Sequence, residues 1–203
     1  MLVLIVIILH LVDGIRGRQA PLKTISPGLD LFGGTSPWNV SKWEAIDDRV
    51  RGGTSESTLE LYRNNAVLFK GYVDTQTLGG AGFASQRTRG DLMLDLSLYT
   101  HLQVHVAASD QRTYSLNLYT SPEKPSYPYS RLTYKYTFNP QGRAGDFSAP
   151  WDDFKPFWRG KEVNGPKLDV SSIQGVGLMC QSFFGAQEGE FQLVVARISA
   201  VAK

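Results

Sequence analysis

Apolar and polar residues alternate with a period of two in several short segments of this 203-residue chain. These segments lie at residues 59–61, 67–73, 102–106, 114–118 and 132–138. Successive side chains of a β-strand point to opposite faces, so each pattern predicts a strand with one buried face. Residues 176–180 and 191–198 predict two further strands, and the second is apolar on both faces. That composition is typical of a strand in the middle of a sheet.

Turns and loops join these segments. Asn64 and Asn65 supply a turn because Asn tolerates positive φ, so residues 59–73 are predicted to form a hairpin. Further connections are predicted at residues 13–37 (a linker), 109–112 (a turn), 120–130 and 139–149 (loops). No long stretch shows a helical period. Many short strands separated by turns predict an all-β fold, either a β-sandwich or a jelly roll.

Length and composition predict one domain with a tail: residues 1–29 form an apolar leader and linker, and residues 30–203 form the domain. The net charge is +2, and the basic residues are dispersed rather than clustered. Nucleic acid is therefore not a predicted partner. The single cysteine, Cys180, excludes an internal disulfide and lies in an apolar run, which predicts a buried thiol.

The N-terminus, residues 1–12, is almost entirely Leu, Val and Ile. It is shorter than the roughly 20 apolar residues that span a bilayer. Its length suits a secretory signal, yet no basic residue precedes it and no small-residue cleavage site follows. Three interpretations stay open: a signal-like segment, a membrane-surface anchor, or a translated stretch foreign to the native protein. Asn39 begins a glycosylation sequon that would matter only in a secreted chain.

Four separated motifs identify a family resemblance. They are residues 31–38 (LFGGTSPW), 43–57 (WEAIDDRVRGGTSES), 78–87 (LGGAGFASQR) and 151–160 (WDDFKPFWRG). In this order they resemble the complex I intermediate-associated protein 30 (CIA30) family, and its short fungal members in particular. The resemblance runs from about Asp30 to the C-terminus and does not cover the apolar leader.

The resemblance implies a galactose-binding-like β-sandwich. It implies a non-enzymatic assembly factor, a chaperone-like protein for intermediates of mitochondrial respiratory complex I (NADH:ubiquinone oxidoreductase). The implied partners are subunits or assembly intermediates of complex I and other assembly factors, and the implied location is the mitochondrion. Membrane association, through residues 1–12 or through partners, stays open, as does a secretory or membrane-surface location suggested by the apolar leader.

The second and third motifs combine acids, arginines and glycines. Their candidate residues are Asp47, Asp48, Arg49, Gly52, Gly53, Gly79, Gly80, Gly82, Ser85 and Arg87. We predict a structural role, in which Asp48 forms a buried ion pair with Arg49 or Arg87 and joins the two segments. The glycines are interpreted as conformational, permitting positive φ or close backbone approach. The alternative is a small-ligand pocket at one end of the sandwich, with a sugar as its ligand.

No catalytic, cofactor or metal site is predicted. Asp47 and Asp48 are neighbours, and neighbouring strand residues point to opposite faces, so they cannot work as a facing carboxylate pair. Calcium needs about six or more oxygen ligands, more than this segment offers. His101 and His105 lie roughly 13 Å apart on one strand, too far to share a metal. A hydrolase that uses Asp47 or Asp48 is therefore the last-ranked function.

The fourth motif is the predicted surface for partner proteins, and its candidate residues are Trp151, Phe157, Trp158 and Arg159. Aromatic residues and Arg dominate binding hot spots because they offer large contact areas and bidentate hydrogen bonds. The proline within the motif argues against a regular central strand. The alternative is that alternate rings close one end of the core, and Trp151 and Phe154 suit that role best.

Two functions compete most closely: the complex I assembly factor, and a carbohydrate-binding β-sandwich module of a secreted protein. The second rests on fold analogy and on the leader, which is a weaker argument because one fold hosts many functions. Import into an organelle with no glycan at Asn39 favours the first; secretion with a glycan there favours the second.

Overall fold

The computed structural model describes residues 28–120 and 132–202. Its strands are β1 (Gly28–Gly33), β2 (Trp43–Ala45), β3 (Glu56–Tyr62), β4 (Ala66–Val73), β5 (Phe83–Thr88), β6 (His101–Ser109), β7 (Tyr114–Thr120), β8 (Thr133–Phe138), β9 (Gly145–Pro150), β10 (Lys155–Trp158), β11 (Lys161–Glu162), β12 (Ile173–Gln181) and β13 (Gly189–Val201). Short 3₁₀ turns lie at Val40–Lys42, Asp48–Arg51, Arg63–Asn65 and Trp151–Asp153. Within these two ranges no helix is long and apolar enough to cross a membrane.

The strands form two antiparallel sheets. The first has the order β3-β4-β13-β6-β9, with β1 also paired to β13, and the second has the order β11-β10-β8-β7-β12-β5-β2. Strand β13 pairs with β6 along one edge, and its other edge is shared by β4 and β1. This confirms the predicted β-sandwich, and it confirms that the doubly apolar run at 191–198 is a central strand.

The core lies between the sheets and contains the inward-facing half of each alternating segment. Leu116 and Leu178 from the second sheet are fully buried, as are Phe69 and Leu193 from the first. Burying one such side chain contributes about 1.5–3 kcal/mol. The outward-facing side chains of the second sheet are therefore not needed for this core.

The hairpin predicted around Asn64 and Asn65 is confirmed as β3 and β4, and Asn65 takes φ +56°. Two other connections differ. The predicted linker contains β1, because Leu31 and Phe32 pack on the core. The predicted loop at 139–149 contains most of β9, which pairs with β6. The turn predicted at 109–112 connects β6 of the first sheet to β7 of the second. Residues 1–27 and 121–131, with their predicted leader and loop, lie outside the described residues.

Candidate functional site

Asp48 is fully buried at the start of the Asp48–Arg51 turn. Its carboxylate accepts hydrogen bonds from the Ser55 amide at 3.0 Å, the Ser55 hydroxyl at 2.6 Å and the Phe83 amide at 3.1 Å. Ser55 immediately precedes strand β3 of one sheet, whereas Phe83 begins β5 of the other. One carboxylate thus holds the two glycine-containing segments together.

Asp47 makes a parallel set of bonds one residue earlier. It accepts from the Ser57 amide at 3.1 Å, the Ser57 hydroxyl at 2.7 Å and the Ser85 amide at 2.8 Å. Burial raises the pKa of the Asp47 carboxyl, and the bonds from Ser57 and Ser85 oppose that shift. Both acids therefore connect the β3 edge to the β5 edge through hydrogen bonds, most of them from backbone amides.

The predicted ion pair of Asp48 with Arg49 or Arg87 is wrong. Arg49 pairs with Glu56 at 2.7 Å, and Arg87 pairs with Glu44 at 2.9 Å. The Asp48 carboxylate is bonded to backbone amides instead of to an arginine. The guanidinium groups of Arg49 and Arg87 are therefore left to pair with other carboxylates nearer the surface.

The glycines permit close approach around these acids. A Cβ on Gly53 would lie 2.3 Å from Asp48 Oδ1, and one on Gly82 would lie 1.7 Å from the Asp74 carbonyl oxygen. Gly52, Gly79 and Gly80 take positive φ values of 84°, 59° and 92°. Gly53 and Gly82 are therefore required for the close approach of the two segments, whereas Gly52, Gly79 and Gly80 ease the turns beside them.

A cleft of about 1090 Å³ lies on the outer face of the second sheet. Its walls include strands of this sheet, Arg51 from the 3₁₀ turn, and residues 159–161, which connect β10 to β11 and begin β11. Of the candidate residues in the second and third motifs, Gly82, Ser85 and Arg87 border it. Asp47 and Asp48 do not line the cleft; they stabilise the segments that form its wall.

Tyr119 and Gly175 form one part of the floor. A Cβ on Gly175 would lie 3.2 Å from the Tyr119 ring, and one on Gly177 would lie 3.5 Å from it. The ring therefore lies against β12 where side chains are missing. The Arg87 guanidinium carbon sits 5.5 Å from the centroid of the same ring, within cation–π range.

Lys135 forms the middle of the floor and is only 7% exposed. Its Nζ donates to Gln181 Oε1 at 3.0 Å, lies 3.4 Å from Met179 Sδ and stands 4.9 Å from the Phe157 ring centroid. Burial, together with the nearby positive charge of Arg51, lowers the pKa of Lys135 to about 8. The side chains that contact this cation are neutral, and the charged residues beside it, Arg51 and its cross-strand partner Lys155, are both positive.

Positive charge dominates the cleft lining. Its basic residues are Arg51, Arg87, Lys135, Arg159 and Lys161, and Asp91 is its one acidic residue among the residues that the structure describes. Arg87 has Glu44 as a partner. In the described ranges Arg51, Lys135, Arg159 and Lys161 form no ion pair with a carboxylate. The arrangement can attract and hold a negatively charged group.

The aromatic motif at 151–160 is divided between core and cleft. Trp151 donates from Nε1 to the Tyr99 carbonyl at 2.7 Å and packs on the core, as does the buried Phe154. Phe157 and Arg159 line the cleft. Trp158 is half-buried beneath the Arg159 guanidinium, which lies 4.7 Å from its ring. The motif therefore brings two of its four candidate residues to the cleft.

Sequence reasoning did not identify Arg51, Tyr119, Lys135 or Gln181 as site residues. Lys135 lies between Thr133 and Thr137 on the polar side of an alternating segment. That alternation correctly predicts an outward-facing lysine. It carries no signal that β10 and the Asp48–Arg51 turn cover this part of the sheet.

Comparison with known proteins places the chain. The family described as complex I intermediate-associated protein 30 (CIA30) matches residues 32–195. The chain belongs to this family. Uncharacterized protein C9E9.15 of Schizosaccharomyces pombe is 38% identical over 190 residues, which cover 86% of this chain and 84% of that protein. Every residue that lines the cleft falls inside the matched range.

Solved structures share the CIA30-type fold found here. A family 11 carbohydrate-binding module from Clostridium thermocellum, in complex with a β-1,3-1,4-mixed-linked tetrasaccharide, aligns with a TM-score of 0.62 at 14% identity, covering 87% of this chain and 95% of that one. The family 11 module of the cellulosomal cellulase Lic26A-Cel5E aligns with a TM-score of 0.61, also at 14% identity, with the same coverage of both chains. At this identity the likeness establishes the fold and nothing about the ligand.

Proposed function

We propose that this chain is a non-enzymatic binding protein that holds assembly intermediates of mitochondrial respiratory complex I. The CIA30 family match supports this role, because it includes the whole cleft. The proposed partners are complex I subunits or their intermediates together with other assembly factors. The proposed location is the mitochondrion.

The observation that carries the proposal is the cleft itself. Its volume of about 1090 Å³ lies at the upper end of ordinary small-molecule pockets, roughly 300–1,000 Å³. It combines ring surfaces from Tyr119 and Phe157 with cations at its floor and rim. Aromatic rings provide contact area for a partner, whereas exposed charges accelerate its association. The attraction of these charges weakens when salt is added. Reversible binding of this kind suits a factor that must release its client.

The first experiment follows the client. A tagged full-length protein is recovered from mitochondria, and complex I subunits are identified by mass spectrometry. Phe157→Ala combined with Arg159→Ala is expected to reduce their recovery about tenfold or more, since well-packed hot-spot residues contribute about 2 kcal/mol or more each. Arg143→Ala is the matched control, because Arg143 is exposed, its side chain bonds to Gln141, and it does not line the cleft.

Normal recovery of complex I subunits by the folded double variant would contradict a client site in this cleft. Failure of the unaltered protein to recover any complex I subunit would contradict the proposed function as a whole. Circular dichroism and thermal melting establish that each variant is folded before recovery is compared.

A carbohydrate-binding role is the second candidate, because the Tyr119 ring packs on two glycines and borders the cleft, where it offers a sugar ring a surface for stacking. Secretion, a glycan at the exposed Asn39 and binding of a neutral β-glucan tetrasaccharide would favour this candidate over complex I assembly. Mitochondrial import without a glycan would exclude it.

A further inference from the structure

The charges of the cleft are arranged along a row that crosses the strands. Arg87 on β5 is opposite Gly177 on β12, Gly177 is opposite Asn117 on β7, and Asn117 is opposite Lys135 on β8. Three steps between neighbouring strands separate Arg87 from Lys135, or about 14 Å. Between them the Tyr119 ring covers Gly177, which has no side chain of its own.

Arg51 reaches the Lys135 end of this row from a different part of the chain. Its guanidinium carbon lies 5.5 Å from the Phe83 ring centroid, and its Nη1 would be 3.7 Å from a Cβ on Gly160. Gly160 and Phe157 flank the same corner of the cleft in which Lys135 Nζ stands over the Phe157 ring. Arg51 and Lys135 thus converge on one corner, and neither has a carboxylate partner among the described residues.

Two convergent cations without an anion are unfavourable in an isolated protein. Each repels the other, and Lys135 is also withdrawn from water. A ligand carboxylate placed between them would relieve both effects. Such a group would form charge-assisted hydrogen bonds, which are about twice as strong as neutral ones.

We propose that the cleft binds an extended acidic segment of a client protein, with one carboxylate held between Arg51 and Lys135. This deepens the proposed function and rests on it. A second carboxylate four residues along the segment would lie about 13 Å away on the same side, which matches the span from Lys135 to Arg87. An apolar residue midway would lie on the Tyr119 ring that covers Gly177, near Met179.

A peptide fits these features better than a string of phosphates does. Apolar surface from Tyr119, Phe157 and Met179 separates the cations, whereas a phosphate backbone calls for a continuous basic surface. Alternating carboxylate and apolar side chains on an extended chain reproduce the order charge, apolar surface, charge. The Arg87 end is the weaker anchor, because Glu44 already occupies part of its guanidinium.

The test uses the full chain and a blocked heptapeptide, Gly-Glu-Ser-Phe-Ser-Glu-Gly, in isothermal titration calorimetry. The matched probe replaces both glutamates by glutamine. The acidic peptide is expected to bind at least about tenfold more tightly, since a hydrogen bond to a charged group contributes about 1.5–3 kcal/mol, equivalent to roughly 10–100-fold. Arg51→Gln and Lys135→Met are expected to remove that preference, and Arg143→Gln to leave it unchanged.

Proton uptake on binding is a second measurement, and a lysine with a purely structural role would not change it. The groups around Lys135 are the cations Arg51 and Lys155, the neutral Gln181 and Met179, and the Phe157 ring. A carboxylate beside Lys135 favours its protonated form, so binding near pH 8 is expected to take up about half a proton from the buffer. Calorimetry in buffers of different ionisation enthalpy measures this uptake, and Lys135→Met should abolish it.

Three results would overturn the proposal: equal affinity for the two peptides, unchanged affinity in both cleft variants, or tighter binding of a tetragalacturonate, which would make the ligand an acidic sugar. The two proposals fail separately. Recovery of complex I subunits without a preference for the acidic peptide contradicts only the acidic segment. Binding of the peptide by a protein that recovers no complex I subunit contradicts the assembly function and leaves the binding chemistry in place.

Discussion

Asp48→Ala is expected to lower the free energy of unfolding by about 3–5 kcal/mol. The carboxylate is fully buried and accepts from two backbone amides and one hydroxyl. Alanine would leave the Ser55 and Phe83 amides inside the protein without an acceptor. An unsatisfied buried donor costs about 1–3 kcal/mol, and more when its former partner was charged.

Two further variants separate this mechanism from a simple loss of charge. Asp48→Asn keeps one oxygen for the Ser55 amide but turns an NH₂ group toward the Phe83 amide, so an intermediate loss of stability is expected. Asp152→Ala is the control, because its carboxylate is 85% exposed and its pairing with Lys167 is a surface contact. Chemical denaturation measures all three.

A wild-type stability for Asp48→Ala, accompanied by lost client recovery, would show that Asp48 serves the partner and not the fold. The expected order of unfolding free energies is wild type and Asp152→Ala, then Asp48→Asn, then Asp48→Ala. Any order that places Asp48→Asn below Asp48→Ala contradicts the hydrogen-bond account.

The strands could be predicted from the sequence because burial acts on alternate residues and leaves a period of two. The same rule does not say which sheet a strand joins. Residues 109–112 form a turn as expected. The strand before it, which contains Leu102, belongs to the first sheet, whereas the strand after it, which contains Leu116, belongs to the second. Strand β9 was missed because Gly145, Asp146 and Pro150 hide the alternation of Phe147 and Ala149.

The site was harder to predict than the fold for two physical reasons. The sequence indicated that Asp48 joins two segments, but it did not indicate its hydrogen-bond partners. These are backbone amides, which almost every residue carries and which no sequence motif marks. Lys135 has the outward position that its pattern predicts. Its burial depends on elements about twenty and about eighty residues away in the chain, the β10 strand and the Asp48–Arg51 turn.

Lys135→Met is expected to raise the free energy of unfolding by about 1–2 kcal/mol at pH 7. The pKa of Lys135 is lowered to about 8 from an ordinary value of 10.5, because the charged form loses water and lies near Arg51. A shift of this size is equivalent to about 3 kcal/mol against the protonated side chain. The lost bond to Gln181 and the lost contact with the Phe157 ring offset part of the gain.

The sign of the pH dependence follows from the same shift. Between pH 8 and pH 10.5 the unfolded chain keeps a proton on Lys135 that the folded protein has released. Stability rises with pH wherever the unfolded state binds more protons, so wild-type stability gains from Lys135 across this window. The Lys135→Met variant has no such gain, and its advantage over wild type is expected to shrink between pH 7 and pH 9.5.

Measurement of the difference between the two proteins at both pH values removes the contribution of every other titrating group. At pH 7 the melting temperature of Lys135→Met should exceed that of wild type by about 2–6 °C. A less stable variant, or a difference independent of pH, would contradict a strained cation at this position. Higher stability combined with lost binding of the acidic peptide would show that the chain keeps Lys135 for its ligand, because burying that charge otherwise weakens the fold.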